Sequence, residues 1–462
     1  MFQTVDDRTI AALAEIVGES RIRTDPEALE EYGRDETPGL FSAPGAAVFP
    51  ADALQIARIL ELAARENVPV TARGGGTGLA GGAVPSPGGI VLALTGMDRL
   101  VEIDEENLTA TVEPGMVTER FRDAVEAVGL YYPPDPASLD SCTIGGNLAT
   151  GAGGARALRY GTTRDYVVGL EAVVPAAGTV AWGGKSRKNA SGYNLAQLLV
   201  GSEGTLGVIV KAVLRLLPLP PERVTLWASF PDLERAAAAV APLLKSGADP
   251  AALELMDRGS LEAAARIEDA GLGRGGEAFL LIELEGRGEV ELPWEETGKI
   301  CAEAGAADVL VAEDRGLRDR VWKTRRSITE GLRLLSPVHS KQDVSVPPAA
   351  IPAFMRRARA AARAERLETV CFGHAGDGNI HLNLLGAGVP EAEWPGRKAR
   401  AERRFLEEAL ALGGVISGEH GIGLAKRGYL ALGYSPPAIG LMKALKRACD
   451  PRGILNPGKI LP

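Results

Sequence analysis

Apolar and polar positions along this chain follow two periods, and the balance between them changes near residue 220. Before that point short apolar runs of strand character recur at 46–49, 68–71, 89–94, 108–112, 167–174 and 208–217. Between them, residues 8–17 and 52–65 carry apolar side chains at helical spacing, with Asp6 or Asp7 and Asp52 placed as N-caps. Leu217-Pro218-Leu219-Pro220-Pro221 then interrupts the pattern, because proline removes ladder donors and stiffens the chain. Beyond it, predicted strands at 225–230, 251–255, 279–285 and 309–312 alternate with predicted helices at 233–245, 260–269, 289–304 and 317–334. Such a rhythm predicts helices layered on a sheet. The pattern divides the chain into residues 1–220, 221–412 and a glycine-rich tail, 413–462. The tail lacks a core of its own and is expected to pack back on the first domain.

Composition narrows the class. At 462 residues the chain exceeds one ordinary core. Its formal charge of -9 argues against nucleic acid as the main ligand. The basic run Lys185-Ser186-Arg187-Lys188 reads equally well as a solvated turn. Cys142, Cys301, Cys371 and Cys449 lie far apart with no Cys-x-x-Cys pair, which excludes a disulfide framework and an iron–sulfur cluster held by this chain alone. Asp6, Asp7 and Arg8 near the start do not make a signal peptide, and no apolar run reaches the ~18 residues of a membrane helix. The expected setting is cytoplasmic, with peripheral docking at a membrane through a partner left open.

Three glycine-dense stretches punctuate the first domain. The first, Arg73-Gly74-Gly75-Gly76-Thr77-Gly78-Leu79-Ala80-Gly81-Gly82, formally contains a dinucleotide pattern. That pattern acts only where a helix begins and points its N-terminus at pyrophosphate. Here Val84-Pro85-Ser86-Pro87 follows, which cannot start a helix, so the Rossmann reading fails. Successive glycine amides can still form an anion-binding nest, and Arg73 would add a charge at its mouth. The second stretch holds Pro134-Asp135-Pro136-Ala137-Ser138, then Thr143-Ile144-Gly145-Gly146-Asn147, Thr150 and Gly153. The third is Gly201-Ser202-Glu203-Gly204-Thr205-Leu206-Gly207-Val208-Ile209. Together they imply a large, flat, extended cofactor.

Histidine is scarce, with four in the chain, and three of them sit in two motifs. One is Gly373-His374-Ala375-Gly376-Asp377-Gly378-Asn379-Ile380-His381-Leu382-Asn383. The other is Ser417-Gly418-Glu419-His420-Gly421. Strands at 370–374 and 380–385 around a 375–379 turn would bring His374 and His381 together. Alternation then places His381 and Asn383 on one face. Two histidines and Glu419 form an open N/N/O set of the catalytic kind, which accepts zinc, manganese or iron. His339 lacks such context and reads as structural. On a helix, Arg325 and Thr329 share a face at i, i+4, whereas Arg325 and Arg326 alone read as a solvated face.

The glycine stretches, the histidine motifs and Asn456-Pro457-Gly458-Lys459 together resemble the vanillyl-alcohol oxidase and p-cresol methylhydroxylase flavoproteins. Within them the chain looks like the branch of D-lactate dehydrogenases, glycolate oxidase catalytic subunits and D-2-hydroxyglutarate dehydrogenases. The resemblance spans nearly the whole length. It implies an α+β fold: a PCMH-type FAD-binding domain of two α+β subdomains, a ferredoxin-like α+β cap carrying the metal hairpin, and a C-terminal return segment. It assigns the 73–79 loop and the 134–150 stretch to the FAD pyrophosphate, residues 203–209 to the nucleotide part, and Asn456 to the isoalloxazine surroundings. Some members attach FAD through a histidine in the first loop. Thr77 stands there, which implies non-covalent FAD. The resemblance further implies that His374, His381 and Glu419 hold a divalent metal, and that Arg325, Thr329, Lys341 and Asn383 contact substrate. His420 would take the proton of a small D-2-hydroxy acid while hydride passes to flavin N5, giving the 2-oxo acid. Electrons would leave to a quinone, a cytochrome, an electron-transferring flavoprotein or an iron–sulfur partner subunit. Assembly as a homodimer stays open. Two other readings are a metallohydrolase with an incidental nucleotide site and a non-catalytic flavoprotein subunit of an electron-transfer complex.

Overall fold

The computed structural model describes residues 2–272, 275–286, 292–312 and 314–462. They form two compact units, the first comprising Met1–Gly153, Thr162–Leu219 and Glu419–Pro462, the second Gly154–Gly161 and Pro220–Gly418.

In the first unit, β1 (Ile22–Arg23), β2 (Ala46–Val48), β3 (Val70–Arg73) and β4 (Ile90–Ala93) make a four-stranded sheet in the order β1-β2-β4-β3. Strands β2, β4 and β3 run parallel. Parallel strands need covered faces, and helices Asp7–Val17 and Ala53–Glu66 provide cover: Leu13, Val17, Ile56, Ile59 and Leu60 are buried with Val48, Val70, Ile90 and Leu92. Both helices start where the sequence supplies a cap, Asp6 accepting from the Thr9 amide and Asp52 from the Gln55 amide at 2.8 Å each. Ile454 and Leu455 of the tail are buried in the same core, and the Asn456 amide donates to Val70 O at 2.6 Å.

A second, antiparallel sheet joins β5 (Leu100–Asp104), β6 (Thr109–Val112), β8 (Val167–Val174), β9 (Gly178–Gly183) and β10 (Val208–Arg215) in the order β5-β6-β10-β8-β9. A short ladder pairs β7 (Leu130–Tyr131) with β11 (Leu217–Pro218). The charged strand β5 and the polar β9 escape the apolar-run reading because both lie at edges with half-exposed side chains.

The second unit is built on one seven-stranded antiparallel sheet of β12 (Glu222–Phe230), β13 (Ala252–Asp257), β14 (Ala278–Gly286), β15 (Asp308–Ala312), β16 (His339–Ser345), β17 (Glu368–His374) and β18 (Asn379–Leu385). Their order is β15-β12-β14-β13-β17-β18-β16. Helices Leu233–Lys245 and Ile351–Ala364 cover one face. Helices Arg258–Ala264 and Arg315–Leu335 cover the other, where Val321, Trp322, Ile328 and Leu332 pack on Trp227, Phe279 and Phe372. The helix expected at 289–304 is observed over Trp294–Glu303; residues 289–291 lie outside the described residues. Among the described residues no helix is long and apolar enough to cross a membrane.

Candidate active site

In the first unit the loop after β3 contains no helix, as its prolines require. Its glycines are needed for close approach. A Cβ on Gly74 would meet Thr143 Oγ1 at 2.3 Å, and one on Gly75 would meet Ser141 O at 2.1 Å. The first and second glycine stretches thus share a seam walled by backbone. Thr143 caps the short helix Ile144–Thr150, accepting from Gly146 N at 3.3 Å. The Asn147 amide is fixed by the Thr118 hydroxyl at 2.8 Å. Pro134 and Asp135 are buried beside them, and Ile209 is buried on β10.

The Arg73 guanidinium lies against Gly76 of this loop, donates to the carbonyls of Arg34 and Glu31 and lies over the Tyr32 ring. The strand end leaves the long side chain buried, where those carbonyls and the nearby charge of Asp35 satisfy it.

A second polar cluster surrounds the tail. Glu203 and Asn456 both adopt left-handed φ, 51° and 45°, a costly conformation that side chains hold only when neighbours over-determine it. Here the Glu203 carboxylate accepts from the Ile422 and Gly423 amides at 2.8 Å each. Asn456 Nδ2 donates to Gly82 O and Glu203 O at 3.0 and 2.7 Å. Lys459 donates to Val84 O, and burial depresses its ammonium to about 8. Burial pushes the Glu203 and Asp35 carboxyls upward. Asn456 therefore ties the tail to the first glycine loop and to the Gly201–Ile209 stretch. These walls suit a flat, phosphate-bearing cofactor.

In the second unit the predicted hairpin exists as β17 and β18, with the His374 and His381 rings 5.3 Å apart and at 88° to each other. Directly paired strand residues share a face. The registers Glu254↔His374, Phe372↔His381, Asp343↔His381 and Lys341↔Asn383 therefore put all seven residues on one side of the sheet. Helix Arg315–Leu335 lies over that side and delivers Arg325, whose guanidinium sits 4.8 Å above the Phe372 ring. Arg325 is buried rather than solvated, donating to Glu254 Oε2 through Nε at 2.8 Å. Thr329, one turn on, is half-buried, as is Lys341 on β16. Asn383 is fully buried; its Nδ2 donates to Val370 O at 3.2 Å, and its Oδ1 has no partner among the described residues.

The carboxylates were not foreseen. Glu254 Oε1 lies 2.7 Å from His374 Nδ1. Burial works to raise its carboxyl, but the charges of His374 and Arg325 outweigh this and hold it below the usual range. Asp343 accepts from Asn379 Nδ2 at 2.6 Å and from the Ser417 hydroxyl and Gly418 amide at 2.9 Å each, with His381 Nδ1 at 3.7 Å. From Gly418 the chain runs directly into Glu419 and His420, whose side chains approach to 4.0 Å. A signal for Glu254 was present: it is the lone charge in Ala251-Ala252-Leu253-Glu254-Leu255-Met256, an otherwise apolar buried strand.

Comparison with known proteins agrees with this architecture. Residues 44–184 match the family described as "FAD binding domain", and residues 219–460 match "FAD linked oxidases, C-terminal domain". The glycolate oxidase subunit GlcD of Bacillus subtilis is 40% identical, covering 93% of this chain and 91% of its own. The D-lactate dehydrogenase of Archaeoglobus fulgidus is 42% identical, covering 94% and 96%. The D-2-hydroxyglutarate dehydrogenase of Stutzerimonas stutzeri is 35% identical, covering 98% and 99%. Among solved structures, p-cresol methylhydroxylase superposes with a TM-score of 0.82 at 17% identity, covering 98% of this chain and 96% of that one, a likeness of fold. With one family spanning more than half of the sequence and relatives aligned almost end to end, the chain belongs to the FAD-linked oxidases and is an FAD-binding oxidoreductase of α+β architecture.

Proposed function

We propose that this protein oxidises a small D-2-hydroxy acid to the 2-oxo acid with FAD and a divalent metal. The observation that carries the reading is the pair of buried histidines on β17 and β18, set on one face with Arg325, Lys341 and Asn383. The relatives' names give the class of acid.

The seam of Gly74, Gly75, Ser141, Thr143 and Gly146, with Gly145 beside it, would cradle the FAD pyrophosphate, with Asn456 near the ring system. Bound FAD supplies the two-electron acceptor. Thr77 carries no nitrogen or thiolate able to form a flavin link, so acid precipitation should leave the yellow colour in the supernatant. His374 and His381, with Glu419 from the chain just past Gly418, would hold the metal as an open N/N/O set. A bound divalent cation supplies a Lewis acid that lowers the substrate hydroxyl pKa. Arg325 and Lys341 present positive charge for carboxylate, Thr329 and Asn383 add polar contacts, and His420 takes the hydroxyl proton.

An anaerobic screen of D-lactate, glycolate and D-2-hydroxyglutarate for bleaching of the flavin tests the reading. One of the three should reduce the flavin, and none doing so would overturn it. His420→Asn should then slow reduction by about 10²–10⁴-fold with metal and FAD content unchanged. Loss of metal in that variant would make His420 a ligand rather than the base.

A further inference from the structure

Both histidines of the hairpin have a buried carboxylate at the directly opposed position of the flanking strand. Strand β13 places Glu254 opposite His374, and β16 places Asp343 opposite His381. Across four adjacent strands, β13-β17-β18-β16, this gives a diagonal order of carboxylate, histidine, histidine, carboxylate, with His374 opposite Asn379 and His381 opposite Phe372. Neither acid is exposed. A buried carboxylate costs several kcal/mol unless its oxygens are used, and these oxygens are used. Glu254 spends Oε1 on His374 Nδ1 and Oε2 on Arg325. Asp343 spends Oδ1 on Asn379 and Oδ2 on Ser417 and Gly418.

We infer that Glu254 and Asp343 are positioning residues for the metal set. Glu254 fixes His374 as the Nδ1–H tautomer with Nε2 directed away as the ligand atom, and Asp343 holds both the β18 ligand strand and the residue before Glu419. The inference rests on the proposed metal site. Its chemistry is general: the carboxylate behind a ligating imidazole orients the ring and raises its basicity. Glu254 has a second task, because the same carboxylate aligns Arg325, so one acid sets both a metal ligand and a substrate cation. Asp343 accepts from two successive residues, Ser417 and Gly418, the last two before Glu419.

The test uses the FAD-replete full chain, chelated and then titrated with Mn2+ while the free ion is read by electron paramagnetic resonance. Glu254→Gln and Asp343→Asn should each weaken Mn2+ affinity by roughly 10–100-fold, with FAD stoichiometry unchanged. His374→Ala serves as the reference. Metal lost in His374→Ala but retained at wild-type affinity in Glu254→Gln overturns the inference alone. Wild-type protein that takes up no Mn2+ overturns the inference and the metal site together. A measurement on the wild-type chain guards against a variant that fails to fold. With four histidines, ¹⁵N-histidine spectra can be assigned one by one. His374 should appear with its proton on Nδ1, and a proton on Nε2 in the metal-free protein overturns the assignment.

Discussion

Gly75 shows how little room the glycine seam leaves. A methyl group there would meet a backbone oxygen, Ser141 O, which cannot swing aside as a side chain does. Gly75→Ala should therefore cost about 1–3 kcal/mol and lower FAD occupancy, read as melting temperature and as flavin absorbance per chain. Unchanged occupancy would show that the seam does not hold cofactor. Lys459 makes a residue-scale statement about pH. Its ammonium falls from 10.5 in an open chain to about 8 when buried. Between those values the unfolded chain holds the proton and the folded one does not, so this group's contribution to stability rises as pH goes from about 8 toward 10.5. The melting gap between wild type and Lys459→Met should shift in favour of wild type across that window. A gap independent of pH would mean that the ammonium stays charged when buried. At the same scale the sequence gives Arg73 a charge but not its direction, and the strand end decides which way the side chain leaves.

Among the elements, the histidine hairpin was readable because a glycine-rich turn separates two short apolar strands, so local spacing alone pairs them. The carboxylates behind it were not. Glu254 lies 120 positions from His374, and the partner is set by strand order in the sheet, which no local pattern contains. Helix Arg315–Leu335 carries another element-scale constraint. It lies so close to helix Arg258–Ala264 that a Cβ on Gly331 would meet Ala263 O at 1.9 Å. Gly331→Ala should lift the helix from its neighbour and displace Arg325 two turns earlier. The expected result is a destabilisation of about 1–3 kcal/mol and a raised KM for the acid, with FAD content intact. An unaltered KM would show that Arg325 does not depend on the seating of this helix.

For the molecule as a whole, the glycine seam lies in the first unit and both hairpin histidines in the second. The glycine seam and the two histidine ligands therefore come from different segments of the chain. Removing divalent metal with a chelator should stop reduction of the flavin by the acid while leaving the yellow colour in place, and re-adding Mn2+ or Zn2+ should restore it. Loss of colour on chelation would mean that the cofactor depends on the metal, and full activity after chelation would make the histidine row structural. At this scale sequence reading stops at the linker: prolines mark residue 220 clearly, but nothing local announces that Gly154–Gly161 packs with the second unit.

That eight-residue excursion limits how the protein can be rearranged. Arg156 is bonded to Glu283 and lies over the Trp322 ring, and Tyr160 donates to Glu285 at 2.5 Å. Both acids sit on β14 in the middle of the sheet, with side chains almost wholly out of water. Exchanging residues 220–418 for those of a relative, as if they were a portable module, would take Glu283 and Glu285 away from Arg156 and Tyr160, which stay behind far upstream. A buried pair that loses one partner costs about 3–5 kcal/mol. A chimaera cut only at the proline linker should misfold unless residues 154–161 travel with the graft, so the second unit is inherited as two pieces of gene rather than one.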